Sequence, residues 1–295
     1  MSTTETGGPG MNQVFLDGQF LPADQAKVSV MDRGFLFGDG VYEVIPVFAG
    51  RPFRLQQHLD RLDFSLGEIR LQQPWGRERW EDILQTLIDA HGGGDQGIYL
   101  QITRGVGSIR EHRMREALRP TVFAMSRLLA PPPLAVPAPI VCVTAQDIRW
   151  TRCDIKSTSL LGHVLMTQHA LDQGAQECLL IRDDRVWEGA SSNLFAVIDG
   201  IVVTPPRGPF ILAGITRDLL VELAAERGEP IVERPISVAE LARASELWIT
   251  SSTRELVPVQ RLDGRELSAE PGPQLTRLWQ WYRAYRDRLS RGEVR

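Results

Sequence analysis

Three features of this sequence predict an α+β fold in two domains, with mixed or antiparallel sheets and flanking helices. Turn dipeptides join β-rich runs at Asp17-Gly18, Asp183-Asp184 and Asp199-Gly200, and such residues tolerate the positive φ that tight hairpins need. Other stretches repeat apolar residues at helical spacing, as in Leu55, Leu59, Leu62, Leu66 and Ile69. Five prolines crowd the segment 130–139, which favours extended geometry and suits an interdomain linker. A regular strand–helix alternation of the βαβ kind is absent.

The elements follow in order. Strands at 14–16 and 19–21 form the first hairpin, and a β-rich run at 41–48 turns at Ala49-Gly50. Helices are expected over 55–69 and around Trp80, Ile83, Leu84, Leu87 and Ile88, with strands at 97–104 and 121–129. Lys27, in Ala26-Lys27-Val28-Ser29-Val30, sits in an alternation typical of an exposed edge strand. Beyond the linker come a strand at 140–144, a helix near 160–173, and hairpins pairing 178–181 with 185–187 and 194–198 with 201–204. Helices are expected over 216–227, 238–244 and 275–289, the second opened by a capping box of Ser237 and Glu240. The chain thus divides into a disordered tail at 1–10, a small N-terminal domain at 11–129, the linker, and a larger C-terminal domain at 140–295.

Composition narrows the function. With 295 residues, 43% of them hydrophobic and 24% charged, a sizeable core is expected. A net charge of −4 and a pI near 5.8 lack the basic surplus of nucleic-acid or membrane-surface binders. No apolar run approaches the roughly 18 to 20 residues of a membrane span. Met1 to Gly10 lacks the charged-then-apolar layout of a signal peptide, so a cytoplasmic protein is expected. Cys142, Cys153 and Cys178 are odd in number and widely spaced; they match neither a disulfide framework nor a zinc site, and no metal is expected.

Only Lys27 and Lys156 are lysines, against 31 arginines. Arginine stays protonated, whereas lysine can shed its proton and form a Schiff base. Lys156 stands in Cys153-Asp154-Ile155-Lys156-Ser157 before apolar Leu160, Leu161, Val164 and Leu165; it is either a chance survivor or an amine kept for chemistry. Gly214-Ile215-Thr216-Arg217 precedes a helix. That is an ordinary turn, or a helix N-terminus whose free N–H groups suit a phosphate. Thr250-Ser251-Ser252-Thr253 clusters short hydroxyls after Leu247-Trp248-Ile249. On a helix, His58, Arg61 and Ser65 share a stripe, where Arg61 can pair with an acid or reach a phosphate. Glu188, before Gly189-Ala190-Ser191-Ser192-Asn193, is a turn residue or a buried partner for a protonated ring nitrogen. Arg110 and His112 lie in a dense polar patch, either a solvated loop or a carboxylate trap. Tyr42 follows the Gly-rich Gly38-Asp39-Gly40, where a phenol can enter a cleft.

Jointly these segments carry a resemblance. Asp32-Arg33-Gly34-Phe35-Leu36-Phe37-Gly38-Asp39-Gly40-Val41-Tyr42-Glu43-Val44 and His58-Leu59-Asp60-Arg61-Leu62 resemble the signatures of fold-type IV pyridoxal-phosphate enzymes. Arg152-Cys153-Asp154-Ile155-Lys156-Ser157 and Glu188-Gly189-Ala190-Ser191-Ser192-Asn193-Leu194-Phe195 are similar to the D-amino-acid aminotransferase branch. The likeness spans roughly Val14 to Arg288.

It implies pyridoxal 5′-phosphate bound to Lys156 as a Schiff base, its phosphate held by Arg61, the backbone at Ile215, Thr216, and Ser252 or Thr253. Glu188 would meet the ring nitrogen and Leu212 would pack near the ring. Tyr42, Arg110 and His112 match the trio that holds the substrate's α-carboxylate, the last two reaching in from the neighbouring subunit of a homodimer. Ser252 stands where a threonine is common, and Pro46 where a basic residue is frequent. The implied activity is transamination between a D-amino acid such as D-alanine or D-glutamate and a 2-oxo acid. Alternatives are a transaminase of branched-chain L-amino acids or (R)-amines, an aminodeoxychorismate lyase, or a silent binding module, which would have no use for Lys156, Glu188 and Arg61 together.

Overall fold

Two β-sheets carry the chain, and most of the hairpin and helix signals fall on them. The computed structural model describes residues 13–114, 118–268 and 270–294; the tail expected at 1–10 lies outside them. Strands β1 (Gln13–Leu16) and β2 (Gln19–Pro22) flank Asp17-Gly18. Both turn residues have positive φ, 50° and 102°, the geometry that matches strand twist in a two-residue hairpin. Helix α1 (Arg33–Phe37), β3 (Gly40–Phe48), β4 (Arg51–Pro52), α2 (Leu55–Glu68) and α3 (Arg77–Asp89) follow, then β5 (Gln96–Thr103) and β6 (Thr121–Leu128). The sheet runs β2-β1-β6-β5-β3-β4, with every pair antiparallel.

The apolar stripes of α2 and α3 face this sheet. Leu59, Leu62, Leu66, Trp80, Ile83 and Leu87 pack with Phe15, Val41, Leu100 and Ile102. Each fully buried side chain of this size contributes about 1.5–3 kcal/mol. Period-two alternation puts Val41, Glu43 and Ile45 on the buried face and Tyr42 and Val44 on the other. Glu43 is therefore an acid aimed into a core.

The second sheet is mixed. Its elements are β7 (Ile140–Gln146), α4 (Leu161–Asp172), β8 (Glu177–Arg182), β9 (Arg185–Gly189), β10 (Asn193–Ile198), β11 (Ile201–Thr204), α5 (Ile215–Glu226), β12 (Val232–Glu233), β13 (Ile236–Ser237), α6 (Val238–Leu241), β14 (Glu246–Ser251), β15 (Glu255–Leu262), β16 (Arg265–Glu266) and α7 (Pro273–Ser290). The order is β12-β11-β10-β14-β15-β7-β8-β9-β13, with β16 on β15. Only β7–β8, β7–β15 and β11–β12 pair in parallel among the described residues. The Ser237–Glu240 capping box forms, and Cys142, Cys153 and Cys178 are free and buried.

Phe48 and Phe53, either side of the Ala49-Gly50 turn, join the core of α5 and α7, where Phe53 meets Tyr282 and Tyr285. The proline-rich segment is pinned to the same helix: Arg286 donates to the Pro133 carbonyl at 3.0 Å and Arg283 to that of Leu134 at 2.6 Å. No described helix is long and apolar enough to cross a membrane.

Some expectations need correction. Residues 26–30 form no strand, because Pro22 closes β2 and a short 3₁₀ turn at Ala23–Gln25 redirects the chain; Lys27 is exposed as expected. Strand β15 carries Pro258 opposite Trp248, and a residue without an N–H hides a strand in sequence. Helix α1 is too short for periodicity to reveal; Asp32, accepting from the Gly34 N–H at 2.7 Å, starts it.

Candidate active site

Lys156 reaches its position because its segment crosses from the second sheet onto the first. The Tyr42 N–H donates to the Lys156 carbonyl at 3.0 Å, and Thr158 N–H to that of Gly40 at 2.9 Å. From α2, the Ser65 hydroxyl accepts the Lys156 N–H at 3.2 Å. Buried Ile155 anchors the segment in the first core. The side chain enters a cavity of about 420 Å³, with Nζ 4.2 Å from the centre of the Tyr42 ring. Burial, and then the charge of Arg61, push its pKa down to about 8, against the opposing pull of Glu43 and Glu188. Leu160 and Val164 line the cavity, Val164 while still exposed, whereas Leu161 and Leu165 are exposed and do not line it. The apolar environment expected from all four residues is supplied by only two.

One end of the cavity is acidic. Glu188, buried on β9, accepts from Arg149 at 2.5 Å, from the Leu212 N–H at 3.0 Å and from Asn193 at 3.3 Å. Burial drives its pKa up to about 7 even with Arg149 beside it. Arg149 in turn donates to both oxygens of Asp147, at 3.0 and 3.1 Å. This carboxylate is thus oriented from both sides.

The lining also holds a donor cluster. Arg61 gives Nε and Nη2 to the two oxygens of Glu43, at 2.8 and 2.7 Å, and Nη1 to the Ala213 carbonyl at 2.8 Å. Three of its five N–H groups are used, leaving two. His58 meets Glu43 at 2.7 Å. Helix α5 begins at Ile215 behind Gly214, which supplies no side-chain cap, so its first N–H groups remain available to a ligand. A Cβ at Gly214 would stand 1.9 Å from the Asn193 side-chain oxygen, so only glycine lets the helix start this close. Thr216, Ser251 and Ser252 also line the cavity.

This donor set suits pyridoxal 5′-phosphate. A dianion fits the N-terminus of α5 with the arginine and hydroxyls, an aldehyde fits an amine whose pKa is lowered to about 8, and a protonated ring nitrogen fits Glu188. Of the residues expected from sequence, Lys156, Arg61, Glu188, Leu212, Ile215, Thr216, Ser252 and Tyr42 line one cavity. Thr253 is exposed outside it, and Thr250 and Ser251 take up the lining instead. Arg110 and His112 do not line their own chain's cavity; they sit exposed beside Phe37.

Sequence reading missed Arg149, Asn193 and His163. Arg149, between Ile148 and Trp150, gives no local signal. His163 projects from α4 into the cavity, its Nε2 3.5 Å from Arg149. Burial, Arg149 and Lys156 hold its pKa down at about 4, so the imidazole is neutral. It lies in the first turn of α4, and nothing in its sequence neighbourhood marks it as facing the cavity.

Residues 40–262 match the family Amino-transferase class IV. The chain is 35% identical over 281 residues to a D-alanine aminotransferase of Staphylococcus haemolyticus, covering 95% of this chain and all of that one. A D-alanine aminotransferase of Bacillus licheniformis is 38% identical over 262 residues, 88% of this chain and 92% of that one. Among solved structures, the branched-chain aminotransferase of the thermophilic archaeon Thermoproteus uzoniensis with norvaline superposes with a TM-score of 0.83 at 26% identity, covering 93% of this chain and 94% of that one.

Proposed function

The chain belongs to the class IV amino-transferase family, and from that premise we propose that it transfers the amino group of a D-amino acid to a 2-oxo acid with pyridoxal 5′-phosphate. One observation carries this reading: the Lys156 amine shares one cavity with a buried acid, Glu188, with Arg61 and with the start of α5, and feels the charge of both Arg61 and Glu188. The names of the two D-alanine aminotransferases support the D-amino-acid assignment.

Bound there, the cofactor supplies the electron sink for the substrate's α-carbon. Lys156 would hold it, and its Nζ would carry the substrate's α-proton, help typically worth about a hundred- to ten-thousandfold. Glu188 would accept the ring N–H on a carboxyl that Arg149, Asn193 and the Leu212 N–H hold in place. Arg61, Thr216, Ser252 and the Ile215 N–H hold the phosphate. Tyr42, with Arg110 and His112 of a second copy in a homodimer, orients the α-carboxylate, and that orientation decides which α-hydrogen faces Lys156. Amino acids and 2-oxo acids are its small-molecule partners, and the cytoplasm its compartment.

Half-reactions with D- and L-alanine test the reading, because the visible band of the lysine-bound cofactor should fade with the D-enantiomer. Loss of the band with L-alanine alone would refute it. A second expectation concerns pH. Only a neutral amine attacks an aldehyde, so cofactor capture by the apoprotein should rise with pH through a midpoint near 8. An ordinary lysine would titrate near 10.5; well below both values the neutral fraction is about 300-fold larger here. Stopped-flow mixing across pH 6–11 measures it, and a midpoint near 10 would remove Arg61 and burial as the cause.

A further inference from the structure

Arg110 and His112 are presented by a platform that belongs to their own chain. Phe37, the last residue of α1, has the Arg110 guanidinium 5.1 Å from its ring centre and the His112 ring centroid at 5.3 Å. Arg33, one turn earlier, lies 5.0 Å from the same ring. Its Nη1 donates to the Glu111 carbonyl at 2.7 Å and its Nη2 to that of His112 at 3.4 Å. Arg33 is itself buried and held by Asp39 at 2.8 Å, and Asp39 is held again by Arg104 at 2.8 and 2.9 Å.

The helix beneath is equally tied down. Buried Asp32 accepts from the hydroxyls of Thr103 and Thr121 at 2.9 and 2.7 Å, which fixes α1 to the ends of β5 and β6. The segment leading to Arg110 is stitched to the same point, by a bridge between Asp32 and Val106 and by the Gly107 N–H on the Met31 carbonyl at 3.3 Å. The backbone at Glu111 and His112 and the side chains of Arg110 and His112 therefore have separate anchors, Arg33 for the first and Phe37 for the second.

A guanidinium recognises a carboxylate through a planar fork, and binding groups act only when held within about half an ångström of the productive pose. Exposed arginine alone would sample many rotamers; an aromatic face removes most of them. We propose that Phe37 and Arg33 are positioning residues for the substrate-carboxylate pair Arg110–His112, setting its aim from within one chain before a second copy supplies the cofactor. This rests on the reading of Arg110 and His112 as that pair.

Steady-state kinetics of the holoenzyme test it. Phe37→Leu keeps an apolar side chain but loses the π face, and should raise KM for the D-amino acid about two- to fivefold with kcat unchanged. Phe37→Tyr should restore the KM of the unaltered protein. Arg33→Lys, which keeps a charge for Asp39 but cannot span two carbonyls, should reproduce the rise in KM. Cofactor dissociation constant and visible absorbance should stay unchanged in all three. An unchanged KM in Phe37→Leu while Arg110→Ala raises it overturns the platform alone. An unchanged KM in Arg110→Ala overturns the underlying carboxylate assignment. Loss of kcat together with loosened cofactor in Phe37→Leu would make the residue merely structural, and also overturns the proposal.

Discussion

Lys156→Ala should lower amino-group transfer by about ten-thousandfold, the upper end of what one positioned acid–base group supplies. Two roles are lost together, the covalent tether and the proton carrier, so the effects will not separate into additive parts. The one other lysine, Lys27, is exposed and does not line the cavity, and the arginines around the cavity stay protonated. The fold should survive, since the Lys156 backbone, rather than its amine, bonds to Tyr42 and Ser65. Single-turnover rates with D-alanine, beside a circular dichroism spectrum matching the unaltered protein, measure it. A loss smaller than about a hundredfold would remove Lys156 from the centre of the reaction.

Glu43→Gln should cost about 3–5 kcal/mol of stability, the usual penalty for breaking a buried ion pair from one side. Glu43 and His58 are fully buried and Arg61 nearly so. Burial pushes the Glu43 carboxyl up, but the Arg61 charge and hydrogen bonds, with that of His58, hold it down at about 2. A carboxyl lowered from 4.5 to about 2 contributes about 3 kcal/mol. The sign follows: the folded pKa lies below the unfolded one, so this stability is present above pH 4.5 and disappears as pH falls through about 2. The variant should therefore melt about 10 °C lower at neutral pH, with the gap closing in acid. Thermal melts at pH 7 and pH 3 check both statements. An unchanged melting temperature would mean that Arg61 is held by Ala213 alone.

Much of this was legible in the residues. Turn pairs with positive φ, the Leu59–Leu62–Leu66 stripe and the capping box at Ser237 are local signals, and local sterics enforce them wherever the chain lies. Lys156 stood out by rarity. Glu43 could have been read as an inward acid from its place between Val41 and Ile45, and was not, because one charged residue in a strand is commonly a surface residue. Arg149 left no trace, since its partner Glu188 is 39 positions away. For Thr253 the spacing of hydroxyls was right but the turn after β14 aims it at solvent.

Taken alone, the amino-acid sequence determined the α+β class, the longer helices and the tight hairpins, the residue types of a lone amine, an acid and an anion site, and the family likeness. Only the tertiary structure decided which side chains meet. Arg61 touches Ala213 across 152 positions, Glu188 is gripped by Arg149 and Leu212, and Arg110 lies on Phe37 rather than in its own cavity. The reason is physical: backbone preference and hydrophobic period act over a few neighbouring residues, whereas hydrogen-bond partners and pKa values depend on groups that only packing brings together.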